Sequence, residues 1–245
     1  MQKELDDLNR FIRSQVDATD ARVTRLEFNS RVIWLKQPEQ LNLRFRLQKG
    51  DSTRAFNAER TALKTLKSHG VPIPQIIAEG PDFIALGDSG TPLNQIIGNE
   101  DYSKAERIEI FTKAGQALAM LHQKGLSHGR PALKDLCWDG QQITFLDFER
   151  FSEKRNTPHG HAQDVVMFVF NTYAVAGRDC AELTAAIAAY RSHDTMGIWS
   201  RAQKWCANKG WINWLTKPIQ MRRAGKAKEF KAIPLTLQLF NRPRP

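Results

Sequence analysis

The chain has 245 residues, of which 41% are hydrophobic and 25% carry a charged side chain. These proportions exclude an intrinsically disordered chain, and the length allows one large domain or two smaller units with buried cores. No apolar run reaches the roughly 20 residues that span a bilayer, and the charged N-terminus lacks the apolar centre of a signal peptide. The three cysteines are widely spaced, which predicts reduced thiols rather than a metal site.

Positive charge is concentrated at the C-terminal end. Residues 201–245 contain 11 of the 36 lysine and arginine residues and one of the 26 acidic residues, so the net charge of +10 arises there. The asymmetry predicts a polyanionic partner, and the basic segment 217–231 is the expected contact for a phosphorylated glycan, a lipid or RNA. We expect a cytoplasmic protein without a transmembrane segment, either free or peripheral at the inner membrane surface. The sequence does not predict an oligomeric state.

The first part of the chain is predicted to be rich in strands. An amphipathic helix is expected over residues 3–15, followed by a hairpin whose two-residue turn is Asn29-Ser30. Alternating apolar residues predict a further strand over residues 41–48. Residues 53–70 have the apolar spacing of a helix, and residues 82–88 form a short apolar strand.

The second part is predicted to be mainly helical. Residues 102–125 form a long amphipathic helix, and two short strands flank a turn at Asp139-Gly140. Further helices are expected over residues 161–177 and 180–193 and within 197–232, where most of the tryptophans are expected to be core residues. The change from strands to helices near residue 87 predicts an α+β chain in two parts, 1–87 and 88–245.

Four short motifs occur in a fixed order: "VIWLK" ending at Lys36, "AFNAERTALKTL" around Glu59, "HGRPALKD" from His128, and "ITFLDFERF" around Asp147. Together they resemble the protein-kinase-like fold. The similarity is greatest to small bacterial sugar and lipopolysaccharide-core kinases of the Kdo-kinase type, and to the small atypical kinase of the KEOPS tRNA-modification complex. The resemblance covers about residues 25–175.

The resemblance implies a bilobal fold. Residues 1–87 would form a small N-lobe with an antiparallel sheet and one helix that bind the nucleotide. Residues 88–245 would form a larger, mostly helical C-lobe that carries a catalytic-loop-like and metal-binding segment and the basic tail. ATP and Mg²⁺ are the implied cofactors.

Roles for four residues follow from the same resemblance. Lys36 would bind the ATP phosphates and Glu59 would pair with it, which fixes its direction. Asp147 would bind magnesium at the position of the Asp-Phe-Gly aspartate. Asp135 lies 12 residues earlier, a separation that a short two-strand hairpin requires, and stands at the place of a metal-binding asparagine.

The loop from His128 departs from the kinase pattern. His128 matches the expected histidine, but Arg130 replaces the catalytic aspartate; by the resemblance, these two are the predicted catalytic residues. An arginine stays protonated and cannot be a general base, whereas it can grip a phosphate or stabilise transition-state charge. We expect its guanidinium to lie near Asp135 and Asp147 and to pair with one of them in the empty protein. The Asp164 side chain is expected either to hydrogen-bond to the backbone of this loop or to cap a helix.

Three functional hypotheses remain open. The first is an ATP-dependent phosphotransferase of atypical kinase type, whose acceptor is a hydroxyl on an anionic glycan, a lipid of the lipopolysaccharide core or a small molecule. The second is a pseudokinase or regulatory nucleotide-binding module, which Arg130 favours, as does the absence of any glycine before Gly50 to form a phosphate-covering loop. The third is an RNA-associated kinase-like partner.

Overall fold

The computed structural model describes residues 2–19, 21–38, 52–221 and 227–241. The chain divides into two compact units, Met1–Ser89 and Gly90–Pro245, and each is described by itself. In the residues described, the first contains an antiparallel sheet with two helices, and the second is mostly helical. The predicted α+β class is therefore confirmed, whereas the strand predicted over residues 41–48 lies outside the described residues.

An antiparallel four-stranded sheet forms the centre of the first unit. Its strands are arranged in the order β1-β2-β4-β3. Asn29 and Ser30 join the first two strands with φ values of 48° and 62°, the left-handed conformation that a two-residue hairpin turn requires. The predicted hairpin is therefore confirmed. The strands are β1 (Val23–Phe28), β2 (Arg31–Lys36), β3 (Ile76–Glu79) and β4 (Ile84–Gly87).

The described residues of this unit also form two helices, α1 (Gln2–Ala18) and α2 (Ser52–Ser68). Ile12 of α1 is fully buried in one hydrophobic cluster with Ile33 and Leu35 of β2. The apolar stripe predicted for the N-terminal helix therefore covers the sheet, which gives this unit a second helix beside the one that the resemblance implied. On α2, the fully buried Leu63 and Leu66 face the core.

The second unit begins with a three-stranded sheet of order β5-β6-β7. Its hairpin pairs Leu136 with Phe145 and Trp138 with Ile143. The Asp139 carboxylate closes the turn by accepting hydrogen bonds from two backbone amides, at 2.8 Å each. The predicted pair of short strands is therefore confirmed. The strands are β5 (Thr91–Pro92), β6 (Leu136–Trp138) and β7 (Ile143–Phe145).

Helices form the remainder of the second unit. Ser103 and Glu106 make a capping box at the start of α4, which ends at Gln123, two residues before the predicted end. Helix α5 packs against α7 and α9. Among the described residues, no helix combines the length and apolar character that crossing a bilayer requires. The helices are α3 (Leu93–Ile96), α4 (Lys104–Gln123), α5 (Pro158–Ala176), α6 (Ala181–His193), α7 (Ile198–Ala207), α8 (Gly210–Gln220) and α9 (Ala227–Asn241).

Candidate functional site

Lys36 and Glu59 form an ion pair in the first unit. Lys36 ends β2 and Glu59 lies near the middle of α2, with 2.5 Å between Lys36 Nζ and Glu59 Oε1. The Glu59 side chain is only 8% exposed. Because removing two charges from water opposes folding, such a pair contributes little to stability and instead fixes the direction of the ammonium group. The predicted pairing and its register are confirmed, while the nucleotide-binding role stays a prediction.

The β6–β7 hairpin brings Asp135 and Asp147 to the same end of two strands. Asp135 closes a 3₁₀ turn (Leu133–Asp135) directly before β6, and Asp147 follows β7 by two residues. The backbone amide of Leu146 donates to the carbonyl of Asp135 at 2.7 Å, which extends the strand pairing to the base of the hairpin. The two carboxylates are therefore held together by the hairpin itself.

One ammonium group lies between these carboxylates. Lys134 Nζ is 3.4 Å from Asp135 Oδ1 and 3.5 Å from Asp147 Oδ2. The Lys134 side chain is 62% exposed, so it can leave this position without disturbing the core. Sequence reasoning did not single out Lys134, since a lysine in a polar loop is ordinarily a solvated charge.

Burial changes the protonation of Asp135. Desolvation and the nearby Asp147 carboxylate raise the pKa of Asp135 from 3.8 to about 6, although Lys134 and Arg130 both act to lower it. A charged Asp135 therefore destabilises the folded chain at neutral pH when no metal ion offsets its burial. A buried carboxylate with a raised pKa is more typical of a ligand-binding residue than of a residue that stabilises the fold.

We predict that Asp135→Asn stabilises the ligand-free protein at neutral pH. Below pH 6 the folded chain retains a proton at Asp135 that the unfolded chain loses near pH 4, so this residue's stability contribution falls as pH rises through that window. Two pKa units correspond to about 3 kcal/mol, an upper limit for the gain. Thermal unfolding of both proteins near pH 5 and pH 7.5 measures it. A gain that does not grow with pH would contradict the prediction.

Asp147 has an unusual backbone conformation. Its φ of 56° lies in the left-handed region, which is uncommon for a residue with a side chain and occurs preferentially at functional sites. The next residue, Phe148, is buried with its ring centroid 4.7 Å from that of His128. The conformation turns the chain so that Phe148 enters the core while Asp147 remains partly exposed.

His128 is a buried support for this turn. Its Nε2–H donates to the carbonyl of Leu146 at 2.9 Å, directly before Asp147. Burial lowers the pKa of His128, so the ring is neutral, and its Nδ1 has no hydrogen-bond partner among the residues that the structure describes. The catalytic role of His128 stays a prediction, and its position suits the alignment of Asp147.

Asp164 holds the loop that contains His128. Its two carboxylate oxygens accept hydrogen bonds from the backbone amides of His128 at 2.6 Å and Gly129 at 2.9 Å. This prediction is confirmed, and the alternative of a helix cap is wrong because Thr157 caps α5. The carboxylate thereby fixes the start of the segment that leads to Arg130.

Arg130 does not pair with the two carboxylates. No ion pair within 4 Å joins Arg130 to Asp135 or Asp147, and its side chain is exposed. Lys134 occupies the position expected for the Arg130 guanidinium. Arg130 still lowers the pKa of Asp135 through its charge, which places it close enough to influence the site. Its catalytic role stays a prediction.

A buried histidine cluster adjoins Asp164 and was missed by sequence reasoning. The His122 and His161 rings stack with their centroids 4.6 Å apart, and His161 Nδ1 lies 2.8 Å from the Ser127 hydroxyl. Burial, with His122 nearby, lowers the pKa of His161 to about 4. His161 lies in the first turn of α5. The neutral His161 ring supports the loop from the core side through its contact with Ser127.

The Asp135 and Asp147 carboxylates supply part of what a metal ion requires. Among residues 2–19, 21–38, 52–221 and 227–241, no group of three or more histidine, cysteine or acidic side chains is arranged to hold a metal by itself. Mg²⁺ is commonly held by one or two carboxylates together with substrate phosphates. Asp135 and Asp147 fit that requirement, and the Lys134 ammonium shows that the pair attracts a cation.

Comparisons with known proteins give distant similarities, and no family model matches the chain. An uncharacterized protein of Haemophilus influenzae is 27% identical over 216 residues, 88% of this chain and 89% of that protein. A probable bifunctional tRNA threonylcarbamoyladenosine biosynthesis protein of Haloquadratum walsbyi is 25% identical over 155 residues, 60% of this chain and 27% of that protein. The solved structure of the bifunctional kinase-methyltransferase WbdD aligns with a TM-score of 0.46 and 15% identity, covering 70% of this chain and 42% of that chain.

Proposed function

We propose that this protein is an ATP- and Mg²⁺-dependent phosphotransferase of atypical kinase type. Its acceptor would be a hydroxyl group on an anionic glycan, a lipid or a small molecule. One observation carries the proposal: the Asp135 and Asp147 carboxylates, held at the base of one hairpin, converge on a single cation. Carboxylates brought together in this way are suited to a metal ion that is shared with nucleotide phosphates.

Different residues of the chain would bind the metal ion and the nucleotide phosphates. Asp135 and Asp147 would hold magnesium, which when bound neutralises phosphate charge. Lys36, directed by Glu59, would bind the phosphates as a point charge. His128 would act as a positioning residue, because its hydrogen bond to Leu146 fixes the backbone directly before Asp147.

The reaction would proceed without a carboxylate general base at residue 130. Phosphoryl transfer passes through a loose transition state, so alignment and charge stabilisation supply most of the rate enhancement. Arg130 and Lys134 are both cationic and both act electrostatically on Asp135. On binding of nucleotide, Lys134 would exchange its carboxylate contacts for phosphate oxygens.

We predict that Lys36→Met weakens ATP binding in the presence of Mg²⁺ by about 10-fold or more. A hydrogen bond to a charged group contributes about 1.5–3 kcal/mol, and about 1.4 kcal/mol is tenfold in affinity. Isothermal titration with a non-hydrolysable ATP analogue measures the effect.

Lys64→Met is the matched control for Lys36→Met. Lys64 also pairs with a glutamate, Glu79, at 2.8 Å, but both side chains are exposed. Exposed pairs contribute little, so this variant is expected to bind ATP like the wild type. Equal ATP affinity in the wild type and in Lys36→Met would show that Lys36 does not bind the nucleotide.

A pseudokinase is the second candidate, favoured by the arginine at residue 130 and by the lysine that already lies between the two carboxylates. It predicts Mg²⁺-dependent ATP binding without hydrolysis or phosphate transfer. Measuring bound and hydrolysed ATP on the same sample separates the two candidates.

An RNA-associated role is favoured by the name of the archaeal relative, which concerns tRNA modification, and by the basic C-terminal segment. It predicts salt-sensitive binding of tRNA that is lost when residues 217–245 are deleted. Binding that survives the deletion, or that does not weaken with salt, would argue against it.

A further inference from the structure

Helix α8 directs large apolar side chains away from the protein. Trp211, Trp214, Leu215 and Met221 are 58%, 78%, 60% and 79% exposed. Their spacing of three, four and ten residues from Trp211 places them on one side of a helix. Other exposed apolar side chains of this unit, such as Met120 and Val175, lie singly on different helices, which is ordinary for a protein surface.

The partly buried side of α8 carries two isoleucines, Ile212 and Ile219, together with three polar residues. The Gln220 amide donates to Asn213 Oδ1 at 3.1 Å and to Thr216 Oγ1 at 2.9 Å, and all three residues are partly buried. The Thr216 hydroxyl in turn donates to the backbone carbonyl of Ile212 at 2.7 Å. Turning the helix to bury its tryptophans would expose Ile212 and Ile219, which are partly buried. The outward apolar face therefore belongs to this packing of α8.

The surroundings of this face are strongly basic. Lys209 precedes the helix with its ammonium 5.4 Å from the Trp205 ring centroid, and Lys217 is exposed on α8 itself. The sequence continues with a further five basic residues before residue 232, and the only acidic residue after residue 200 is Glu229. An apolar stripe bordered by excess positive charge is complementary to a surface that is apolar inside and anionic outside.

We infer that the α8 face, defined by Trp211, Trp214, Leu215 and Met221, is a docking surface for an anionic phospholipid bilayer. The four side chains would enter the boundary between headgroups and acyl chains, and Lys209 and Lys217 would contact lipid phosphates. RNA is a poorer partner because bases stack on aromatic rings, whereas Leu215 and Met221 gain free energy only in an apolar medium.

This inference goes beyond the proposed function and does not depend on nucleotide chemistry. It is tested with the full chain by co-sedimentation with vesicles of phosphatidylcholine that contain increasing fractions of phosphatidylglycerol. Wild-type binding is expected to rise steeply with the anionic fraction and to weaken in high salt. The double variant Trp211→Ser/Trp214→Ser is expected to bind at least about 10-fold more weakly, because the apolar area that enters the bilayer is largely lost.

Matched controls are Met120→Ser and Val175→Ser, which remove exposed apolar side chains elsewhere in the same unit and are expected to bind vesicles like the wild type. Thermal unfolding checks that each variant is folded. If the double variant is unstable, Trp214→Ser alone gives the test, with quenching of tryptophan fluorescence by brominated phosphatidylglycerol as its readout.

Three outcomes would overturn the inference. If the wild-type protein does not co-sediment with vesicles that contain phosphatidylglycerol, the α8 face is not a docking surface for an anionic bilayer. Equal vesicle binding by the wild type and the tryptophan variants would show that charge alone attracts the protein. Binding of tRNA but not of vesicles, weakened by the same substitutions, would assign the face to RNA.

Discussion

Asp147→Asn is expected to reduce Mg²⁺-dependent ATP turnover by about 10²–10³-fold or more, the size of effect seen when a group that stabilises transition-state charge is removed. The substitution removes one negative charge from the pair that would hold the metal ion. Asparagine is preferable to alanine because residue 147 has a φ of 56°, a conformation that asparagine adopts readily and alanine does not. The chain is therefore expected to remain folded, and the loss can be assigned to the site.

Asp139→Asn is the control within the same hairpin. Asp139 accepts backbone hydrogen bonds at the turn, and an asparagine oxygen can accept the same bonds. Turnover by this variant is expected to match the wild type. ATP affinity in Mg²⁺ that is unchanged in Asp147→Asn would show that Asp147 is not a metal ligand, whatever the residual activity.

The family resemblance and local patterns together predicted several parts of the candidate site. The resemblance implied the pairing of Lys36 with Glu59, and the local patterns placed Lys36 at the end of a strand and Glu59 within a helix. The separation of Asp135 from Asp147 was enough to predict the hairpin, because two short strands and a tight turn leave little freedom. In both cases regular secondary structure converts sequence spacing into position.

Lys134 could not be predicted in the same way. It lies in a 3₁₀ turn, where sequence spacing does not determine side-chain direction, and its neighbour Asp135 is buried while Lys134 itself is exposed. The ammonium reaches Asp147 across the hairpin, so its position depends on strands that follow it in the chain. The sequence prediction placed the cation at Arg130, four residues before the lysine that contacts both carboxylates.

The tryptophans show a similar limit. Trp199 is buried against Phe240 with 4.8 Å between ring centroids, as expected for a core residue. Trp214 is 78% exposed, on the side of α8 opposite the partly buried Ile212 and Ile219. Composition favours burial for both tryptophans, and only the packing of α8 distinguishes them. Propensity cannot decide which side of this helix faces the protein, because apolar side chains lie on both sides of it.

Arg130 is the residue on which the two main functional hypotheses differ. It follows a loop that Asp164 fixes through two backbone hydrogen bonds, so its backbone position is well defined although its side chain is exposed. Because Lys134 already contacts both carboxylates, Arg130 is not needed to relieve their repulsion. Its charge is therefore available for the transferred phosphate, which a guanidinium can grip with two parallel hydrogen bonds.

For an active phosphotransferase, Arg130→Ala is expected to slow turnover by about 10²-fold, comparable to the loss of one electrostatic donor. Mg²⁺ affinity without nucleotide should stay close to that of the wild type. Lys134→Met should instead tighten Mg²⁺ binding several-fold, because it removes the cation that competes for the carboxylates. Arg201→Ala, at an exposed arginine of α7, should affect neither measurement.

Arg130→Asp completes the comparison. An active enzyme that uses Arg130 is expected to lose turnover in Arg130→Asp as it does in Arg130→Ala, because a third carboxylate near Asp135 and Asp147 repels the phosphates. A pseudokinase is expected to show no turnover in the wild type and a gain in Arg130→Asp, which restores the residue that accepts the hydroxyl proton in kinases. ATP hydrolysis and phosphate transfer by the wild type and both variants distinguish these outcomes. Equal turnover in all three proteins would exclude a role for residue 130 in either hypothesis, and the functional proposal would then depend on the carboxylate pair alone.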